Sequence, residues 1–160
     1  MDHCNLFGSI ISSSLAYCFL RFYFNLNFTP KCTFPYCACL LQVFEIASGT
    51  GQHIVHFAQQ FPEVTFQPSE CEGRSIHSIV SYIDHYKLTN VRVPLYIDVT
   101  KPPTEWALPP DYGPLSVDVM ININMIHVSS QAAVEGLFKA AGRLLKSESG
   151  LLINIRSLCS

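Results

Sequence analysis

Apolar and polar positions run in blocks from Val43 onward, and the period of the blocks changes regularly. Val43-Phe44-Glu45-Ile46 is a short apolar run that ends in a turn of small residues, Ala47-Ser48-Gly49-Thr50-Gly51. Over residues 52–61, Ile54, Phe57, Ala58 and Phe61 recur at helical spacing and Pro62 closes the segment, which predicts a helix. Val64-Thr65-Phe66-Gln67 predicts a second strand. Residues 74–86 predict a second helix with Ile76, Ile79, Val80 and Ile83 on its inner face. Residues 91–97 predict a third strand ending at Asp98. Between Pro102 and Pro114 only one helical turn, around Glu105-Trp106-Ala107, finds room. Residues 117–123 have the apolar character of a central parallel strand. Ser129 or Ser130 then caps a helix through Leu145 that turns Val134, Leu137, Phe138, Ala141, Leu144 and Leu145 inward. Residues 151–155 predict a fifth strand, and no internal repeat is present.

Strands alternating with helices imply an α/β fold, with a parallel sheet covered on both faces. The chain of 160 residues suffices for one sizeable core. Its net charge of −2 and the lack of any Lys or Arg run supply no field that would draw in nucleic acid. The 49% apolar and 14% charged composition is not evenly spread. Residues 1–42 carry only Asp2, Arg21 and Lys31 as charges, together with five of the seven cysteines, Cys4, Cys18, Cys32, Cys37 and Cys39.

That composition sets residues 1–42 apart from a domain spanning 43–160. An apolar run over residues 10–26 invites a signal peptide or membrane anchor. The basic lead-in of a signal peptide is missing, however, and Arg21, Asn25 and Asn27 interrupt a spanning helix. Cys32, Cys37 and Cys39 lack the downstream pair that a zinc site needs. The segment has no helical or strand period, so it is expected to be a poorly ordered alternative N-terminus. An odd cysteine total argues for a reduced setting, hence a soluble cytoplasmic or nuclear protein.

Four chemical features fall at the carboxyl ends of four successive strands, where open α/β sheets bind ligands. The first is the turn after Glu45, with Ala47, Ser48, Gly49 and Gly51, whose glycines let backbone approach a ligand. The second is Glu70, just past the second strand, a carboxylate able to accept from both hydroxyls of a ribose. The third is Asp98-Val99, and the fourth is the loop opened by Asn122, Ile123 and Asn124. Singly these are a common turn, a solvated acid and ordinary caps; in order along one sheet they are far more specific.

The runs EIASGTGQH, QPSE, IDVT, ININMIHVS and GLFKAAGRLLK resemble the methyltransferase-like protein 26 family, of class I S-adenosylmethionine-dependent methyltransferase type, over about residues 43–153. The resemblance implies a Rossmann-like sheet with S-adenosyl-L-methionine as cofactor. Glu45, Ala47, Ser48, Gly49 and Gly51 would then sit at its methionyl part, Glu70 on the ribose, and Asp98 and Val99 at the adenine. The loop at Asn122 and Asn124 would pass beside it. Ala47 stands where the wider superfamily has glycine, and Glu70 where close relatives have aspartate. A nicotinamide cofactor is the rival, but its GxGxxG fingerprint fails because Ile54 follows Gly49-Thr50-Gly51-Gln52-His53.

The resemblance also implies sixth and seventh strands that this sequence does not supply, so the fold is expected to be incomplete, a shortened isoform with little activity. Its fifth strand would be an unpaired edge prone to self-association. The alternative is a non-catalytic binding module that associates through that edge. The methyl acceptor has no signature. His53 and His56 fall short of a metal site without a third ligand. His127 suits either a base or a loop anchor, Trp106 and Tyr112 either a pocket wall or the core, and Cys71 an apolar filler.

Overall fold

The computed structural model describes residues 41–155. The apolar run 10–26, the cysteines before Gln42 and Cys159 lie outside the described residues. Among the described residues five strands make one open sheet, flanked by three α-helices: β1 (Gln42–Ile46), α1 (Gln52–Gln60), β2 (Thr65–Glu70), α2 (Gly73–Tyr86), β3 (Leu95–Tyr96), β4 (Val119–Ile123), α3 (Gln131–Leu144) and β5 (Leu151–Ile155). The strand order is β3-β2-β1-β4-β5 and every pair is parallel. The chain winds outward from β1 to β3 and then returns to place β4 on the other side of β1. That reversal opens a crevice at the carboxyl ends of β1 and β4.

Alternation along the strands feeds two cores. Val43, Val119, Ile121, Ile123, Ile153 and Ile155 pack with Ile54, Phe57 and Ala58 of α1, and Tyr82 and Ile83 of α2 lie against them. Phe44, Ile46 and Met120 face the other way, onto Leu137, Ala140, Ala141 and Leu144 of α3. Trp106 and Tyr112, from the proline-rich connection, complete this second core by meeting Phe44 edge-on at 6.4 and 5.5 Å. Their role is packing rather than lining a pocket. All five residues of β4 are buried, as a central parallel strand requires. Among the described residues β5 has no neighbour on its outer side, and no helix is long and apolar enough to cross a membrane.

The structure corrects several sequence expectations. β2 runs on to Glu70 instead of stopping at Gln67, while the third strand shrinks from 91–97 to Leu95–Tyr96. Pro68 and Pro94 have no N–H to give to a ladder, so pairing lapses between the bridge Phe66–Val91 and Ser69–Leu95. Gln67 spans the gap, its Nε2 donating to the carbonyls of Pro68 at 3.0 Å and Val93 at 2.9 Å. Helix α1 ends without a glycine; Asn90 Nδ2 donates to the carbonyls of Ala58 and Phe61 at 3.0 and 3.1 Å. The one short turn in the proline-rich stretch is a 3-10 turn at Pro103–Glu105.

Two inward assignments fail. Val80 is 43% and Phe138 53% exposed. The buried stripe of α2 centres on Ser75 and Ile79, and that of α3 on Ala133, Leu137, Ala140, Ala141 and Leu144. Each misassigned residue lies one position, about 100° of rotation, past that stripe. Ser130 is the cap of α3, its side chain accepting the Ala133 N–H.

Candidate functional site

The turn after β1 is forced into shape by its own backbone. Ala47, Gly49 and Gly51 all have positive φ, at 58°, 55° and 93°. Glycine adopts this region freely, whereas Ala47 does so at a cost of about 1 kcal/mol. Hydrogen bonds to β2 hold the turn down: the Ser48 N–H donates to the Ser69 carbonyl at 2.9 Å, and the Ser69 N–H to Ser48 Oγ at 3.2 Å. The Ser69 hydroxyl donates to the Glu45 carbonyl at 2.8 Å.

Glu70 closes β2 and faces back across this turn. Its Oε2 accepts the Gly49 N–H at 2.9 Å and its Oε1 the Cys71 N–H at 2.7 Å. An ionised carboxylate offers about four lone-pair positions, so each oxygen keeps capacity for one more donor. Beyond β3, Asp98 Oδ1 accepts from both the N–H and the hydroxyl of Thr100, at 3.0 and 2.7 Å. These bonds, the hydroxyl's first, hold its pKa below the ordinary carboxylate value. Among the described residues its Oδ2 accepts no hydrogen bond.

Between these elements lies a cleft of about 480 Å³. Of the residues expected from sequence, Ala47, Glu70, Asp98, Val99, Ile123 and Asn124 form its wall. Gly49 and Gly51 belong to the adjoining turn. Glu45, Ser48 and Asn122 are buried below it, at 1%, 4% and 0% exposure. Asn122 ties the ends of β4 and β1 together, its Nδ2 donating to the Ile46 carbonyl at 3.0 Å. It thus supports the floor rather than lining the wall.

Met125, from the loop opened by Asn122, lines the cleft too, while Thr100, Val128, Ser130 and Ala133 also line it and were missed. Ser130 had a signal: a capping serine just after the fourth strand brings a helix N-terminus to the same end of the sheet. Val128, 77% exposed, had none. Cys71 proves to be an exposed residue of the cleft wall, not a filler. Burial first, then the Glu70 carboxylate, keeps its thiol pKa above the ordinary value. His127 is exposed and outside the wall. Among the described residues no group of three or more His, Cys, Asp or Glu is placed to hold a metal ion.

Beneath the turn, Glu45 has both carboxyl oxygens buried without a hydrogen-bond partner among the described residues. Burial pushes its carboxyl up to about 7 from an ordinary 4.5, the nearby Ser48 hydroxyl pulling the other way and the Glu70 charge adding to the rise. The fold therefore prefers the neutral acid. Stability from this group is fully present below pH 4.5 and is lost as pH rises through 7. From pH 4.5 to pH 8 the stability of Glu45→Gln relative to the wild-type chain is expected to rise by about 3 kcal/mol. Urea denaturation at pH 4.5 and pH 8 checks this; a difference that does not change with pH overturns it.

A family model described as "Protein of unknown function (DUF938)" matches residues 33–154. The chain belongs to this family. The chain is also similar in fold to solved structures. PKMT2 from Rickettsia typhi in complex with AdoHcy superposes with a TM-score of 0.57 at 18% identity, over 71% of this chain and 20% of that one. A SAM-dependent methyltransferase from Aquifex aeolicus gives 0.51 at 16% identity, over 66% and 51%. Geranyl diphosphate methyltransferase in complex with GPP and sinefungin gives 0.58 at 12% identity, over 72% and 38%. The chain thus spans a fifth to half of the length of these structures. It shares with them the Rossmann-like methyltransferase fold, a five-stranded parallel sheet flanked by helices.

Proposed function

We propose that this chain is a cofactor-binding domain of the methyltransferase type that takes S-adenosyl-L-methionine in the cleft at the switch between β1 and β4. The observation that carries this reading is Glu70. Two backbone N–H groups fix its carboxylate at the cleft while leaving lone pairs for a vicinal diol. Around it, Asp98 leaves Oδ2 for an amino donor, and a Cβ added at Gly49 would meet nothing within 4 Å. The donor set and the open turn fit a nucleoside with an amino-acid tail.

When bound, the cofactor supplies a methyl group on a sulfonium, a good leaving group. The chain's own residues then act by position. The turn of Ala47, Ser48, Gly49 and Gly51 would hold the methionyl end, Glu70 the ribose, and Asp98 with Val99 the base. Asn124, with Met125 and Val128, would form the wall past which an acceptor approaches. Glu45 and Asn122 support the turn and the floor from below. Holding donor and acceptor in line lowers the barrier without a proton-transfer group. A base is needed only where the acceptor must first lose a proton. The sequence runs around these residues support membership of the methyltransferase-like protein 26 group in particular.

Titration calorimetry with S-adenosylmethionine tests the reading, with NAD as the control ligand. A dissociation constant on the order of 10 μM for the first and no heat from the second is expected. No heat at millimolar S-adenosylmethionine overturns it. The chain would then be a non-catalytic module, with the outer edge of β5 as its association surface.

A further inference from the structure

Helix α3 meets the cleft wall backbone to backbone. A Cβ built on Gly136 would lie 1.9 Å from the Val99 carbonyl oxygen and 2.9 Å from its carbon. Both are main-chain atoms, so no rotamer change removes the overlap. Among the described residues the Val99 carbonyl accepts no N–H. What it meets is the Gly136 Cα–H, a weak donor suited to so close an approach. Val99 packs on the α3 core of Leu137 and Ala140, and Ala133, one turn before Gly136, itself lines the cleft.

We infer that Gly136 is a positioning residue for the cofactor cleft. By letting α3 rest directly on the Val99 carbonyl, it sets where Asp98 and Val99 stand relative to Glu70. This inference rests on the cofactor reading above and adds to it a residue outside the cleft wall. Restoring an ordinary carbon–oxygen separation at an added Cβ moves the turn by more than about 1 Å. A displacement of that size is enough to reduce binding by about tenfold or more. The relaxed turn also loses its fixed amide geometry. Gly142 is an internal control on the same helix, because a Cβ there meets nothing within 4 Å.

The test compares Gly136→Ala, Gly142→Ala and the wild-type chain by two measurements. Calorimetry with S-adenosylmethionine should show a loss of about tenfold or more in Gly136→Ala and none in Gly142→Ala. Hydrogen exchange in the ligand-free chain should quicken over residues 98–101 in Gly136→Ala alone. A folded Gly136→Ala that matches the wild-type chain in both measurements overturns the inference. If the wild-type chain itself gives no heat, the cofactor reading falls, while exchange over 98–101 still decides the role of Gly136. Should Gly136→Ala not fold, the cofactor added to the wild-type chain must slow exchange over 98–101 and 133–140 together. Protection of the first segment without the second overturns the inference.

Discussion

Glu70→Ala is expected to weaken S-adenosylmethionine binding by about two orders of magnitude. Hydrogen bonds to a charged acceptor contribute roughly 1.5–3 kcal/mol each, and the alanine variant would lose both of the bonds proposed to the ribose. It also releases the Gly49 and Cys71 N–H groups that the carboxylate now accepts, so the turn after β1 loses its tie to the end of β2. Glu70→Asp keeps the charge one methylene shorter, and should stay within about tenfold of the wild-type chain. Calorimetry on the three proteins separates charge from reach. Binding within twofold in Glu70→Ala would show that the ribose lies elsewhere, and with it the proposed orientation of the whole cofactor.

The second large effect is on stability. Gly51→Ala should cost about 3 kcal/mol, because a left-handed residue with a Cβ and an overpacked neighbour each add one to a few kcal/mol. Gly51 has φ 93°, and its added Cβ would lie 2.9 Å from Ile79 Cγ1 and 3.3 Å from Ile79 Cα. Ile79 is fully buried in α2, and its Cα belongs to the helix backbone, so neither contact yields easily. A fall in melting temperature of about 10 °C follows for a domain of this size. Gly49→Ala faces no such neighbour and pays only for its φ of 55°, about 1 kcal/mol. Thermal melts of the pair decide the matter; equal losses would mean that the α2 contact carries no weight.

The two glycines look alike in the sequence, and their difference shows where its information stops. The small-residue turn, the capped start of α3 and the apolar fifth strand are local facts. Helical spacing over residues 52–61 and the run 151–155 record which side chains must leave water, and a strand or helix is the local answer to that need. The order of elements then restricts the sheet to parallel crossovers, which puts Ala47, Glu70, Asp98 and Asn124 at one end. Thus the α/β class, the end of the sheet at which the cleft opens, and its wall residues Glu70, Asp98 and Asn124 were legible from Val43 onward.

What was not legible depends on partners distant in the chain. The third strand is shorter than its apolar run because Pro68 and Pro94, each without an N–H, lie in the stretch between the Phe66–Val91 bridge and the Ser69–Leu95 pair. Phe138 and Val80 lie outside the buried stripes although they follow the helical spacing, because that spacing locates an apolar stripe only to within a residue or so. Gly136 reads as an ordinary helical glycine until the Val99 carbonyl is found against it. That Glu45 lies buried under the turn, where the neutral acid is favoured, is likewise set by its neighbours. Local patterns in the sequence set which segments form strands and helices, and at which end of the sheet the cleft opens. Tertiary structure alone decided which of those residues face the cleft and which support it from below, because desolvation and steric contact are set by neighbours tens of residues away.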